Sequence, residues 1–182
     1  MTLSQTADIK NRIEKAIQNI PNFPKKGIIF KDLTPLLQDP MLCAEVAALA
    51  AAPFKDKNID AVVGLESRGF WFGPLIAQQL NAAFIPIRKA GKLPGETYGI
   101  EYDLEYGTAA IELQKNALTQ YHNIIIHDDV LATGGTAAAA CKLLEIAGKH
   151  ALGFTFILEL DFLQGRTLLQ DTNLPIFSII NT

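Results

Sequence analysis

The residues whose types and spacing could do chemistry lie between Asn123 and Ala140, in the segment NIIIHDDVLATGGTAAAA. An apolar, β-branched run leads into two adjacent acids, a loop of small residues, and then an Ala-rich helix. Gly134 and Gly135 tolerate positive φ and let backbone N–H groups come close to an anion. A helix starting near Thr136 aims its unpaired N–H groups and positive dipole end into the same loop. Thr133 and Thr136 add hydroxyl donors. With Ala132, these residues predict a phosphate cradle of little formal charge at the carboxyl end of a strand, where parallel α/β sheets bind ligands. The loop lacks the Gly-Lys-Ser/Thr of a Walker A sequence and the GxGxxG of a dinucleotide fingerprint. Asp128 and Asp129 would repel a phosphate unless something lay between. A ribose fits: its 2′- and 3′-hydroxyls donate to the two carboxylates while its 5′-phosphate sits in the TGGT loop. The whole string therefore predicts a ribose 5-phosphate site, whereas TGGT alone would read as an ordinary strand–turn–helix junction.

The elements that must position this loop follow from hydrophobic periodicity. Ile9, Ile13, Ala16, Ile17 and Ile20 recur at helical spacing and predict a first helix ended by Pro21. Asp39-Pro40 supplies a cap and a first-turn proline for a helix through Ala52. Apolar runs at 59–65, 84–88, 108–113, 123–127, 152–160 and 175–180 read as strands. Helices fall between them, from 69 to about 80 and from about 136 to 147, the second closed by Gly148. Residues 89–103, KAGKLPGETYGIEYD, carry no packed apolar pattern and predict a long functional or mobile loop. Strands alternating with helices, some apolar on both faces, predict an α/β fold with a central, mostly parallel sheet flanked by helices. No repeat or linker divides the chain, so one domain over 1–182 is expected, with about 1–35 contributing a small N-terminal lobe.

Composition bounds the partners. The chain has 182 residues, 49% hydrophobic and 19% charged, with 19 acidic against 16 basic residues and a net charge of −3. That apolar share is too high for a disordered chain, and the length suffices to bury about two-thirds of the unfolded surface without a metal or disulfide. The acid excess argues against nucleic acid and against an anionic membrane as partners. A polyanion bound here would be a small molecule met by local charge. Cys43 and Cys141 lie far apart in Ala-rich segments and read as small buried hydrophobes in a reducing compartment. The start MTLSQTADIK carries no signal-peptide pattern, and the longest apolar tract, 41–54, falls short of the ~20 residues of a membrane span. A cytoplasmic protein is expected. The three histidines are unclustered and carry no metal signature.

HDDVLATGGT (127–136) resembles the phosphoribosyl diphosphate signature of the type I phosphoribosyltransferases. Four further segments extend the likeness to the adenine-specific branch of that family: FPKKGIIFKDLTPLLQDP (23–40), GLESRGFWFGPLIA (64–77), PIRKAGKLPGETY (86–98) and YDLEYGTAAIELQKNAL (102–118). The resemblance implies the type I phosphoribosyltransferase fold, with the N-terminal lobe as a hood and 89–103 as a mobile loop. It implies a purine-salvage glycosyltransferase that moves the 5-phosphoribosyl group from phosphoribosyl diphosphate to N9 of adenine, giving AMP and diphosphate. It also implies a homodimer using Mg²⁺ bound mainly through substrate and water, with no direct protein ligand.

The resemblance further implies roles for individual residues. Arg68, in the Glu66-Ser67-Arg68-Gly69 turn, would hold the leaving diphosphate, since a guanidinium donates several bonds in a fixed fork. Lys89, Lys92 and Tyr106 would join it, with Arg88 reaching in from the neighbouring subunit; Lys92 by itself reads equally as a solvated surface charge. Ala132 stands where hypoxanthine/guanine relatives carry an Asp near the purine N7. Glu105 would instead reach the purine on loop closure, as general acid for AMP cleavage. Ile29, Phe30, Lys31 and Leu160 would form the adenine slot, with backbone groups of Ile29 and Lys31 on its Watson–Crick edge; Phe30 fits a core aromatic as well. Lys31 replaces a frequent Arg. His127 replaces an expected aliphatic and reads first as a neutral, hydrogen-bonded core residue. The competing readings are another purine or xanthine phosphoribosyltransferase, and a repressor that senses phosphoribosyl diphosphate and would carry an added DNA-binding domain.

Overall fold

Local capping chemistry starts the chain. The structure, a computed structural model, describes residues 2–103 and 107–182. Helix α1 (Leu3–Ala16) opens in a capping box: the Thr2 hydroxyl accepts from the Gln5 N–H, and the Gln5 side chain accepts from the Thr2 N–H. The helix buries Ile9 and Ile13. It stops at Ala16, well short of the predicted end at Pro21, because Ile17 turns to extended backbone. The chain then pairs as β1 (Gln18–Pro21), antiparallel to β2 (Ile29–Asp32), with Ile20 opposite Phe30. Strand pairing overrides the helical periodicity of Ile17 and Ile20. Helices α2 (Thr34–Gln38) and α3 (Pro40–Ala51) follow. The expected cap is present: the Asp39 carboxylate accepts from the N–H groups of Met41 (3.0 Å) and Leu42 (3.1 Å).

The chain continues as β3 (Ala61–Leu65), α4 (Gly69–Gln79), β4 (Ala83–Lys89), β5 (Thr97–Asp103), β6 (Thr108–Gln114), β7 (Ile124–Leu131), α5 (Gly135–Ile146), β8 (Ala151–Glu159), α6 (Gly165–Gln170) and β9 (Ile176–Asn181). Strands β3 to β9 form one seven-stranded sheet in the order β5-β6-β4-β3-β7-β8-β9. The β4-β3-β7-β8-β9 portion is parallel, and β6 and β5 add an antiparallel edge. The predicted α/β architecture is therefore present. The reading of 89–103 as one continuous loop is not: its last seven residues are β5, paired from Thr97↔Gln114 to Asp103↔Thr108. Gly99 and the charges at Glu101 and Asp103 mask the strand signal on this edge.

The parallel strands are apolar on both faces, as two-sided burial demands. Val62, Ile125 and Leu158 pack with α1, α3 and α4, while Val63, Ile126 and Phe156 pack with α5. Strand β7 runs past the expected end at 127 as far as Leu131, so Asp128 and Asp129 are strand residues and not a turn after it. No described helix is long and apolar enough to cross a membrane.

Helix α4 lies close on β3 and β4 because two glycines face the Phe84 ring. A Cβ at Gly64 would stand 2.5 Å from Phe84 Cε2, and one at Gly73 would overlap the same ring. Gly64→Ala is expected to overpack this contact and lower stability by about 1–3 kcal/mol, read as a lower urea midpoint at unchanged m-value.

Candidate active site

The carboxyl ends of β3, β4, β7 and β8 converge, and three cavities adjoin there. The first, about 190 Å³, is lined by the 132–136 loop together with Arg68 and Asp128. Gly134 adopts φ +83°, the left-handed conformation expected from the sequence, and caps α5 with no side-chain bond, so the helix's first N–H groups face the loop. The Thr136 hydroxyl lies 3.1 Å from the Tyr102 hydroxyl, joining the loop to β5.

Asp129 is 1% exposed. Its Oδ2 stands 3.1 Å from Arg68 Nε without the alignment of a hydrogen bond, so this buried oxygen has a charge partner but no donor aimed at it. The Arg68 guanidinium also lies over the Phe30 ring, 5.2 Å from its centre. Burial raises both carboxyls of the pair. The charge of Asp129 pushes Asp128 further up, well above the ordinary carboxylate value, while Arg68 opposes the rise at Asp129.

The second cavity, about 480 Å³, is lined by Glu66, Lys89, Tyr102, Asp128 and Thr136 among others. Glu66 organises its cationic wall. The carboxylate accepts from Lys92 Nζ at 2.8 Å, the Lys89 N–H at 2.9 Å and Arg88 Nε at 3.3 Å. Burial works to raise its pKa, but these donors outweigh burial and hold Glu66 down to about 2. Lys92 is therefore paired and not a free surface charge. Arg88 is engaged within its own chain. The role of Glu66 was missed from sequence, although an acid next to Arg68 and ahead of three cations at 88–92 was the available signal.

The third cavity, about 410 Å³, brings together all four expected base-slot residues, Ile29, Phe30, Lys31 and Leu160. Phe162 and Leu163 complete it, from a single-turn 3₁₀ helix (Asp161–Leu163) that no motif announced. Arg68, Val130, Ala132 and Thr133 line this cavity and the first one alike. Glu105 and Tyr106 lie outside the described residues. Among the described residues, no three His, Cys, Asp or Glu side chains gather at metal-binding distance.

A family model for the phosphoribosyl transferase domain matches residues 32–159. The chain is also 50% identical, over 164 residues, to the adenine phosphoribosyltransferase of Roseiflexus sp. (strain RS-1), covering 90% of this chain and 94% of that protein. The chain belongs to the adenine phosphoribosyltransferases. Solved structures of other adenine phosphoribosyltransferases share its fold. The enzyme from Rhodothermus marinus DSM 4252 superposes with a TM-score of 0.90 at 43% identity, covering 97% of this chain and 99% of that one. The Saccharomyces cerevisiae enzyme, complexed with adenine and an imino-altritol bisphosphate, superposes with a TM-score of 0.87 at 44% identity, covering 95% and 99%. The seven-stranded sheet is accordingly the type I phosphoribosyltransferase fold.

In this adenine phosphoribosyltransferase chain His127 is a core residue. It is fully buried, its Nδ1 lies 2.9 Å from the Thr155 carbonyl, and the bond requires the proton on Nδ1. Burial, opposed by that bond, holds its pKa down to about 4 against an ordinary 6.5. The unfolded chain binds this proton from pH 6.5 downward and the folded one only near 4, so the contribution of His127 is intact above 6.5 and lost as pH falls to about 4. At 1.36 kcal/mol per pKa unit the loss is about 3 kcal/mol. Unfolding free energies of wild type and His127→Leu, measured across that range, should differ by this pH-dependent amount; a constant difference would refute the assignment.

Proposed function

We propose that the protein works in purine salvage, transferring the 5-phosphoribosyl group of phosphoribosyl diphosphate to N9 of adenine and releasing diphosphate. The observation that carries this is the shared wall of two cavities: an apolar cavity of about 410 Å³ opens directly beside the 132–136 loop, with Arg68 and Ala132 common to both. The adenine and bisphosphate analogue in the yeast relative support the same pairing of ligands.

In this reading the loop from Ala132 to Thr136 holds the 5′-phosphate with backbone N–H groups, the Thr hydroxyls and the start of α5. Asp128 accepts from the ribose hydroxyls, and Asp129, whose Oδ2 is buried, does so only by turning toward the cavity. Arg68, Lys89, Lys92 and Tyr106 meet the diphosphate, and Arg88 reaches a neighbouring subunit of a homodimer, which requires it to leave Glu66. Ile29 and Lys31 present backbone groups to adenine, Phe30 and Leu160 its apolar walls. Hypoxanthine reverses the donor and acceptor pattern at the purine edge and would leave those groups unpaired. Glu105 hydrogen-bonds near N7 and serves as general acid for the reverse cleavage. The residues fit Mg²⁺ held mainly by substrate oxygens and water: Asp128 offers a carboxylate to both cavities, while Glu66 is already occupied by cations. Bound there, the metal would offset diphosphate charge. The free thiols of Cys43 and Cys141 suit a cytoplasmic location.

AMP synthesis assayed with adenine, hypoxanthine, guanine and xanthine, with and without Mg²⁺, should show turnover with adenine alone and only with the metal. Equal use of hypoxanthine, or no turnover with any base, would overturn the reading. Glu105→Gln should lower kcat by about 10²–10⁴-fold where chemistry limits the rate. Arg68→Ala should lower kcat/KM by about 10²–10³-fold.

A further inference from the structure

The chain leaving β8 touches the phosphate loop at its start. The Leu160 N–H donates to the Leu131 carbonyl at 3.0 Å. Residues 160–165 then form a strap whose last residue, Gly165, lies against the loop backbone. A Cβ on Gly165 would collide with the Ala132 carbonyl oxygen and stand 3.0 Å from the Gly134 nitrogen. Reciprocally, a Cβ on Gly134 would stand 2.6 Å from the Gly165 carbonyl oxygen. Two stretches of backbone meet here with no side chain between them.

The next residue closes the strap. Arg166 donates to Glu159 through Nε (2.8 Å, to Oε1) and Nη2 (2.5 Å, to Oε2), and through Nη1 to the Ile176 carbonyl (3.0 Å). The Ser178 hydroxyl donates to Glu159 Oε2 at 2.7 Å. Glu159 is 3% exposed and ends β8, so the clamp anchors the start of α6 to the rigid sheet. A forked, fully bonded pair of this kind fixes geometry more than it adds stability, since desolvation offsets much of its attraction.

We propose that Gly165, pinned by the Glu159–Arg166–Ser178 clamp, is a positioning residue for the phosphate loop. It braces the Ala132 carbonyl and the Gly134 nitrogen so that the loop's N–H groups converge before substrate arrives. The inference rests on the reading of residues 132–136 as the 5′-phosphate site. A preset loop avoids the ordering cost that a slack one incurs on binding.

The test uses the full-length chain carrying Gly165→Ala or Arg166→Lys, the latter keeping the charge but losing the fork. Gly165→Ala should raise KM for phosphoribosyl diphosphate and the calorimetric Kd for ribose 5-phosphate by about 10–100-fold. KM for adenine should stay within about twofold and kcat at saturation within about threefold. Arg166→Lys should shift the ratio of the two KM values in the same direction, and it carries the test if Gly165→Ala does not fold. A merely structural role would lower the melting temperature and the active fraction while leaving both KM values alone. That outcome, or an equal rise in both, overturns the brace. Wild type failing to bind ribose 5-phosphate would instead overturn the site reading itself, and the brace with it.

Discussion

The contact between Arg68 and Asp129 is the constraint on which the rest of the site depends. Two acids at consecutive positions of a buried strand cannot both stay ionised without a cation at hand. Arg68 supplies it at 3.1 Å, from the turn after the neighbouring strand β3. The same guanidinium is held over the Phe30 ring, so one side chain ties β7 to β3 and to the β1–β2 lobe. The ion pair leaves Asp129 Oδ2 without an aligned donor, but that oxygen is buried and Asp129 lines none of the three cavities, so its charge acts through Arg68. Asp128, which lines two of the cavities, is the acid of the pair that a ligand hydroxyl can reach.

The same logic is repeated with opposite sign on the far side of Asp128. There Glu66 sits among Arg88, Lys92 and the Lys89 N–H. The carboxylate satisfies cations that would otherwise repel one another. A diphosphate brings more negative charge than one carboxylate and can compete for them. A chain of net charge −3 can therefore bind a strongly anionic small molecule. Overall charge sets long-range steering and solubility, while the pocket is governed by a few groups within a Debye length of about 8–10 Å.

Legibility in the sequence followed contiguity. The geometry of the proposed phosphate loop was readable because strand, acids, glycines and helix start are consecutive, and each imposes a local requirement: Gly134 does take positive φ, and α5 does begin at Gly135. The proposed base slot was readable only through resemblance, since Ile29, Phe30 and Leu160 meet in one cavity across a large sequence separation. Tertiary pairing defeated local reading in two places. Ile17 and Ile20 keep a helical period but follow β1–β2 pairing instead, and β5 hides behind Gly99 and its charges because an edge strand needs little apolar signal. The Glu159–Arg166 clamp was invisible for a related reason: a Glu and an Arg seven residues apart share a helix face but stand about 10 Å apart along it, and in a strand they point to opposite faces. Only the return of the chain through the 160–165 strap brings them together.

Sheet order explains why these pieces can form one site. Strand β7 lies between β3 and β8, and β4 lies beyond β3. The loops at their carboxyl ends therefore stand in the sequence β4, β3, β7, β8 across the top of the sheet: the Lys89–Lys92 cations, the Glu66–Arg68 turn, the phosphate loop, then the Leu160 strap. That is the linear order of the proposed ligands' chemistry, diphosphate at one end and purine at the other, with the sugar phosphate between. Neighbouring parallel strands lie ≈ 4.7–4.9 Å apart, so four adjacent strand ends span a distance of about 15 Å, enough for a nucleotide and its leaving group lying along them. A central position for β7 is then a geometric requirement. In the proposed reading the 132–136 loop touches both the loop that meets departing charge and the one that shapes the base slot, and a strand flanked on both sides allows it.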